Sequence, residues 1–220
     1  MINFYIKYKH FSFGLIFIAI NIVFGRLEQI TIPKYHMESW LDNYIPFLKI
    51  FVVPYMLWFY YIIAVPVYLG FKSKDDFLKL CSFMAIGQTI CLIIYFLFPN
   101  GQSLRPAIVD NDIFSHLIRT IYEKDTSTNV APSIHVLFAV AIHIGLMQYE
   151  PFKKKKLLTV ISFVVMVLVV LSTVFIKQHA IMDDVYSLLL SGILYIVIYK
   201  FIPSLKTSRF ENDGYNYGRL

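Results

Sequence analysis

Residues 157–176 read LLTVISFVVMVLVVLSTVFI, without one charge, and residues 177–184 read KQHAIMDD, with a lysine, a histidine and two aspartates. An uncharged run of this length makes a helix about 30 Å long, the thickness of a bilayer's hydrocarbon core. Its abrupt end on ionisable residues predicts a membrane span that delivers chemistry to one membrane face.

The rest of the chain repeats the first half of that pattern. Of 220 residues, 58% are hydrophobic and 15% charged, against about 25% charged in an ordinary soluble domain. A bilayer accommodates the apolar surplus, because lipid-facing side chains need no burial against protein. Five further apolar stretches, at about 11–25, 46–71, 80–98, 133–149 and 185–202, approach spanning length. Pro54 and Pro66 fall in the second, where they predict kinks that neighbouring helices tolerate. The first and fourth are short and need flanking residues or local thinning. The expectation is therefore one all-α domain over 1–220, a six-transmembrane helical bundle with short interfacial helices in its outer loops. Its core motifs lie in 99–184, and a polar tail occupies 203–220. Lys7 and Lys9 precede the run from Phe11 to Phe24, but no small-residue cleavage pattern follows, so an uncleaved anchor is expected rather than a signal peptide.

Charge sets the orientation. With the N-terminus inside, the inner segments hold Lys7, Lys9, Lys72, Lys74, Lys79, Lys153 to Lys156, Lys200, Lys206, Arg209 and Arg219. The outer segments hold less than half as many, Arg26, Lys34, Arg105, Arg119, Lys124 and Lys177, with Lys49 at a helix start. This is the positive-inside asymmetry, and it puts both termini in the cytoplasm. The net charge of +6 is scattered between apolar runs, which fits topology signals and anionic lipid rather than nucleic acid. Cys81 and Cys91 sit in one apolar segment, about 15 Å apart along a helix, too far for a disulfide.

Three polar clusters then fall on the outer side: Asn100 to Pro106, Pro132 to His135, and Ser172 to Asp184. In the loop 99–132, Ile113, Leu117, Ile118 and Ile121 recur at helical spacing and predict a short helix, lying on the membrane or packed on the bundle. His179 and Asp183 are four apart, so on a helix they share a face and can touch. A carboxylate on one imidazole nitrogen fixes the tautomer and raises the basicity of the other, as a nucleophilic or general-base histidine requires. His135 is placed to give a proton to a leaving oxygen. Arg105, Lys177 and the Ser133 hydroxyl are donors suited to phosphate oxygens, and Ser133 opens a helix whose free amides favour an anion. Each also has a plainer reading. Arg105 could be an ordinary loop residue, Lys177 could reach for the headgroups, Asp183 and Asp184 could cap a helix, and His143 suits an interhelical hydrogen bond.

Arg105-Pro106, Pro132-Ser133-x-His135 and Ser172-x6-His179-x3-Asp183 together resemble the signature of the type-2 phosphatidic acid phosphatase superfamily: Lys-x6-Arg-Pro, Pro-Ser-x-His, then Ser-Arg-x5-His-x3-Asp. Position 98 is Phe98 where the signature has lysine, position 173 is Thr173 where it has arginine, and Ile134 replaces the commoner glycine. Ser-Thr-x-Phe and Lys-Gln-His around the nucleophile are more similar to the branch that includes inositolphosphotransferase-like members. The resemblance implies a lipid phosphate or diphosphate phosphatase working through a phosphohistidine. His179 would be the nucleophile, Asp183 its stabiliser and His135 the acid and base, with Arg105, Ser133, Lys177 and Gln178 on the phosphate oxygens. It implies no cofactor and no metal, although His135, His179 and Asp183 could in principle hold zinc. Phosphatidic acid, phosphatidylglycerol phosphate or a polyprenyl diphosphate would be substrates, met at the extracytoplasmic face of the cell membrane. Transfer to an alcohol is the alternative, followed by a non-catalytic member or a transporter. A transporter would place its ionisable groups near the midplane, whereas these gather at one face. Oligomeric state is not legible.

The orientation has a direct check. A cysteine introduced at Asp112 should react with a membrane-impermeant thiol reagent in intact cells, and one at Lys154 should not. The reverse pattern would overturn it.

Overall fold

The computed structural model describes residues 8–201, so the polar tail expected at 203–220 lies outside the described residues. Helix α1 (Lys9–Ile30) leads through residues 31–48 to α2 (Lys49–Lys72). A one-residue turn at Ser73 opens α3 (Lys74–Leu97). The Ser73 hydroxyl accepts from the Asp76 amide at 3.3 Å, a helix cap that supplies one of the free N-terminal donors. A long loop follows, with α4 (Ile113–Lys124). Then come α5 (Ile134–Gln148), a single turn α6 (Glu150–Lys153), α7 (Lys156–Phe175) and α8 (Ile181–Phe201). Pro54 lies in the first turns of α2, where its missing N–H has no helical acceptor, and Pro66 sits inside a helix that runs on through it.

Among the described residues five helices, α1, α2, α3, α7 and α8, are long and apolar enough to cross a membrane, which is compatible with a multi-pass integral membrane protein. The sixth expected span does not reach that length. Helix α5 has 15 residues, about 22 Å, against a hydrocarbon core of about 30 Å. Its position accounts for the shortness. Helix α5 packs against α2, α3, α7 and α8, and Val136, Leu137, Ala139, Ala141 and Ile142 are wholly buried. A helix enclosed by protein has to match its neighbours, not lipid. Small residues let those neighbours close in. A Cβ at Gly145 would meet Leu80, and one at Gly87 would meet Leu137 and Leu194. Outward positions such as Ile63, Phe96, Val160 and Leu189 stay exposed.

The layer over one end of the bundle is built from loops. Strands β1 (Tyr35–His36) and β2 (Asn100–Gly101) pair in parallel, and Gly101 also bridges Thr128. A side chain at Gly101 would collide with Pro33 and the Ser127 carbonyl, each 2.8 Å from the Cβ position. Helix α4 forms where the isoleucine spacing predicts it. Its apolar face is packed on the bundle rather than left for lipid: Ile118 and Ile121 join Val52, Tyr55 and Ile176 in a second core, while Ile113 remains exposed. The Asp112 side chain caps α4 by accepting from Phe114 and Ser115 amides at 3.0 Å, and Lys49 holds Asp112 and Asp110. Cys81 and Cys91 are free and buried.

Candidate active site

Between α7 and α8 the chain turns within five residues. Lys177 adopts φ 56°, the left-handed conformation that ends many helices but is uncommon for a residue with a side chain. This turn folds the next two amides back onto one acceptor: Gln178 and His179 N–H both donate to the Thr173 carbonyl, at 2.8 and 3.1 Å. The His179 ring is thereby directed inward over the first turn of α8. There Asp183 Oδ2 accepts from the Ala180 amide at 2.8 Å and lies 3.3 Å from His179 Nδ1. One carboxylate, itself wholly buried, thus caps α8 and holds the imidazole. An ionised carboxylate only accepts, so Nδ1 carries the hydrogen and Nε2 is the nitrogen left for chemistry.

That Nε2 faces His135 Nδ1 at 3.2 Å. Backbone and serine contacts dock the start of α5 against α8. Ser133 N–H donates to the Asp183 carbonyl at 3.2 Å, and the Ser187 hydroxyl donates to the carbonyls of Ser133 and Asp183. The entry to α5 is held from the first polar cluster. Asn100 accepts from the Val130 and Ala131 amides and donates to the Ala131 carbonyl, and the Tyr95 hydroxyl donates to Pro132 O at 2.5 Å. Gln102 Nε2 completes the link by donating to Lys177 O at 2.9 Å.

The expected residues divide by position. His135, His179, Asp183 and Gln178 come together. Ser133 lies beneath them, wholly buried, and its hydroxyl accepts from the Val136 amide at 3.4 Å. Arg105 stands at the margin. Its guanidinium stacks 4.4 Å over Tyr122 and donates to the carbonyls of Tyr122 and Thr126, on either side of Asp125. Lys177 turns away from the histidines: its ammonium donates to the carbonyls of Asp42 and Ile45, at 3.0 and 2.7 Å, and so fixes residues 42–45. Asp42 repays the contact by capping Ile181 N–H at 2.8 Å. His143 bonds Ser162 at 2.9 Å, between α5 and α7.

Three residues not singled out from the sequence also border the histidines. Tyr55 places its hydroxyl 2.8 Å from His135 Nε2. Trp58 lies 4.3 Å from the His135 ring, centroid to centroid, and donates to the His135 carbonyl. Asp125 accepts from Gln178 Nε2 at 2.6 Å. Glu28 of α1 holds the neighbouring Thr126 through its amide and hydroxyl. The cleft bounded by Asp125, Thr126, Asn129, His135, Gln178 and His179 encloses only ≈ 20 Å³, room for about one water.

Burial by itself would disfavour the His179 imidazolium. The hydrogen bond and charge of Asp183, with Asp184 and Asp125 behind it, outweigh that and raise its pKa above the ordinary histidine value. Burial pulls the Arg105 guanidinium below its ordinary value, with Asp125 opposing. Arginine nonetheless remains a cation in proteins.

A model of the PAP2 superfamily matches residues 76–206, more than half of the chain and all three polar clusters, and the chain belongs to that superfamily. No curated protein and no solved structure matches it. Superfamily members are phosphatases and phosphotransferases, so phosphatase-type phosphoryl transfer is the general chemistry of this chain.

The charge relation gives a titration with a definite sign. Followed by NMR of histidine ring carbons, His179 should lose its proton above the ordinary histidine range, and Asp183→Asn should move that midpoint down. An acid limb in activity that requires neutral Nε2 should move down with it. A midpoint unchanged by the substitution would show that Asp183 does not hold the imidazole.

Proposed function

We propose that this chain is a membrane-embedded lipid phosphate or diphosphate phosphatase that works through a phosphohistidine on His179. One observation carries the reading: the His179 imidazole lies between a buried carboxylate on Nδ1 and a second imidazole on Nε2. In the first step His179 Nε2 attacks phosphorus, the bond to the leaving oxygen breaks, and His135 Nδ1–H protonates that oxygen. In the second, water attacks the phosphohistidine while His135 Nδ1 takes its proton, and the P–N bond breaks. Asp183 stabilises the cationic imidazole in both steps. Arg105, Gln178 and the amides that open α5 beside Ser133 are the donors for developing charge on the phosphoryl oxygens. Lys177 supports the site from behind by holding residues 42–45.

The nitrogens of the two histidines are in contact and the cleft holds about one water, so a phosphoryl group enters by parting the imidazoles. The substrate class follows from surroundings. The cleft sits at one end of long apolar helices, where a phosphate on an apolar tail presents itself. A polyprenyl or diacylglycerol tail meets this requirement equally. A headgroup-transfer enzyme would use the same first step and an alcohol in the second.

Acid-quenched protein should distinguish the roles. With a radiolabelled aryl phosphate, which needs little leaving-group protonation, His135→Ala should accumulate acid-labile label on His179, because the group that activates water is missing. His179→Ala should show none. With a lipid phosphate, His135→Ala should lose about 10²-fold or more in turnover. Label on His135, or full activity in His179→Ala, would refute the assignment. Label leaving His179 only when an alcohol is supplied, and leaving as the phosphate ester of that alcohol, would make the chain a transferase.

A further inference from the structure

Tyr55 and Asp125 stand next to the catalytic histidines, and neither reacts in the steps above. Tyr55 is wholly buried. Its oxygen is 2.8 Å from His135 Nε2, 3.2 Å from Asp125 Oδ2 and 3.3 Å from Gln178 Nε2, which also reaches Asp125 Oδ2 at 2.6 Å. The polarity of this cluster is determined by what each group can do. A carboxylate accepts only, an amide NH₂ donates only, and a phenol has one proton. If Tyr55 gave its proton to His135, its bare lone pairs would face the carboxylate oxygen at 3.2 Å with no hydrogen between them. Giving that proton to Asp125 removes the conflict. The phenol oxygen then has only lone pairs left for His135, so His135 Nε2 must be the donor, and the lone pair this leaves on Nδ1 accepts from His179 Nε2–H, 3.2 Å away, when His179 is the imidazolium.

We propose that Tyr55 and Asp125 are positioning residues that lock His135 in the Nε2–H form, which keeps Nδ1 as its working nitrogen. The kinetic part rests on the phosphohistidine reading; the tautomer does not. As general acid, His135 is an imidazolium. Its Nδ1–H goes to the leaving oxygen while Nε2–H stays on Tyr55 O and the phenol proton stays on Asp125. After that transfer the ring is neutral with a lone pair on Nδ1, facing the site. This is the form that takes a proton from water in the second step. No proton needs to move on the Tyr55 side in either step, so the ring is reset without a flip or a tautomer change. Trp58 also holds the ring, by a tilted contact with 4.3 Å between centroids and by its bond to the His135 carbonyl. The arrangement parallels that at His179, with a carboxylate behind each imidazole, direct in one case and relayed through a phenol in the other.

The test uses the full chain in detergent with ¹⁵N-labelled histidine, His135→Gln serving to assign the signals. In the wild type, below the His179 midpoint where its Nε2–H donates to His135 Nδ1, neutral His135 should carry its hydrogen on Nε2. Asp125→Leu removes the carboxylate that takes the phenol proton, so Tyr55 becomes a donor and the hydrogen should move to Nδ1. Tyr55→Phe should leave a mixture. In single-turnover phosphorylation of the enzyme, both variants should slow an alkyl phosphate about tenfold more than an aryl phosphate, because only the alkoxide leaving group depends on His135 as acid. Hydrogen on Nδ1 in the wild type, or an unchanged tautomer in both variants, would overturn the proposal. So would equal slowing of the two substrates, which marks a merely structural role. A wild type that forms no phosphohistidine would defeat the reading of the site while leaving the nitrogen signals to judge the tautomer on their own.

Discussion

A carboxylate with no access to solvent must be answered by donors, and Asp183 Oδ2 is answered by two: the Ala180 amide at the N-cap of α8 and the ring of His179. The first contact belongs to folding, since a helix begun between two apolar segments leaves amides that need acceptors. The second belongs to chemistry. Because one side chain meets both requirements, the imidazole cannot drift without uncapping the helix. Positions of the other parts follow from this junction. Ser133 N–H is satisfied by the Asp183 carbonyl, so the helix that carries His135 begins against the helix that carries Asp183. Asn100 and Gln102 then tie the loop after α3 to both.

The same economy extends outward. Lys177, with its left-handed backbone, directs its ammonium to the carbonyls of Asp42 and Ile45, and the Asp42 carboxylate returns a cap to Ile181. The segment around Asp42 is therefore fastened at both ends of the turn it covers. Behind the site, α5 is short because it is surrounded by protein, which lets its N-terminus begin inside the outer layer instead of at a lipid boundary.

What the sequence made legible, and what it hid, follows from these contacts. Apolar runs and ionisable clusters revealed a helical bundle and one chemical end, because burial and charge are properties of composition. The spacing of His179 and Asp183 foretold their contact, although His179 lies in the turn before α8 and meets the carboxylate beside the helix cap rather than along a helix face. The direction of a long side chain is another matter. Arg105 and Lys177 were read as phosphate donors by charge, yet both now serve backbone carbonyls, and nothing in local spacing distinguishes these acceptors. Tyr55 was hidden among the aromatic residues of 46–71, which resemble lipid-facing residues, and Asp125 at the end of α4 resembles an ordinary helix terminus. Where the superfamily signature has arginine, Thr173 is buried and donates to Asp184 at 2.9 Å. Where it has lysine, Phe98 is exposed near Tyr35. Both replacements remove a cation from the signature, which leaves Arg105 as the cation beside Asp125.

The central claim is that phosphorus is transferred twice, once onto His179 and once off it. The stereochemical course at phosphorus reports this without any substitution in the protein. A phosphorothioate monoester made chiral at phosphorus with two oxygen isotopes, hydrolysed in water carrying the third isotope, yields inorganic thiophosphate whose configuration can be read. Two in-line displacements invert twice, so net retention is expected. Net inversion would mean that water attacks the substrate directly, and His179 would then not be the nucleophile.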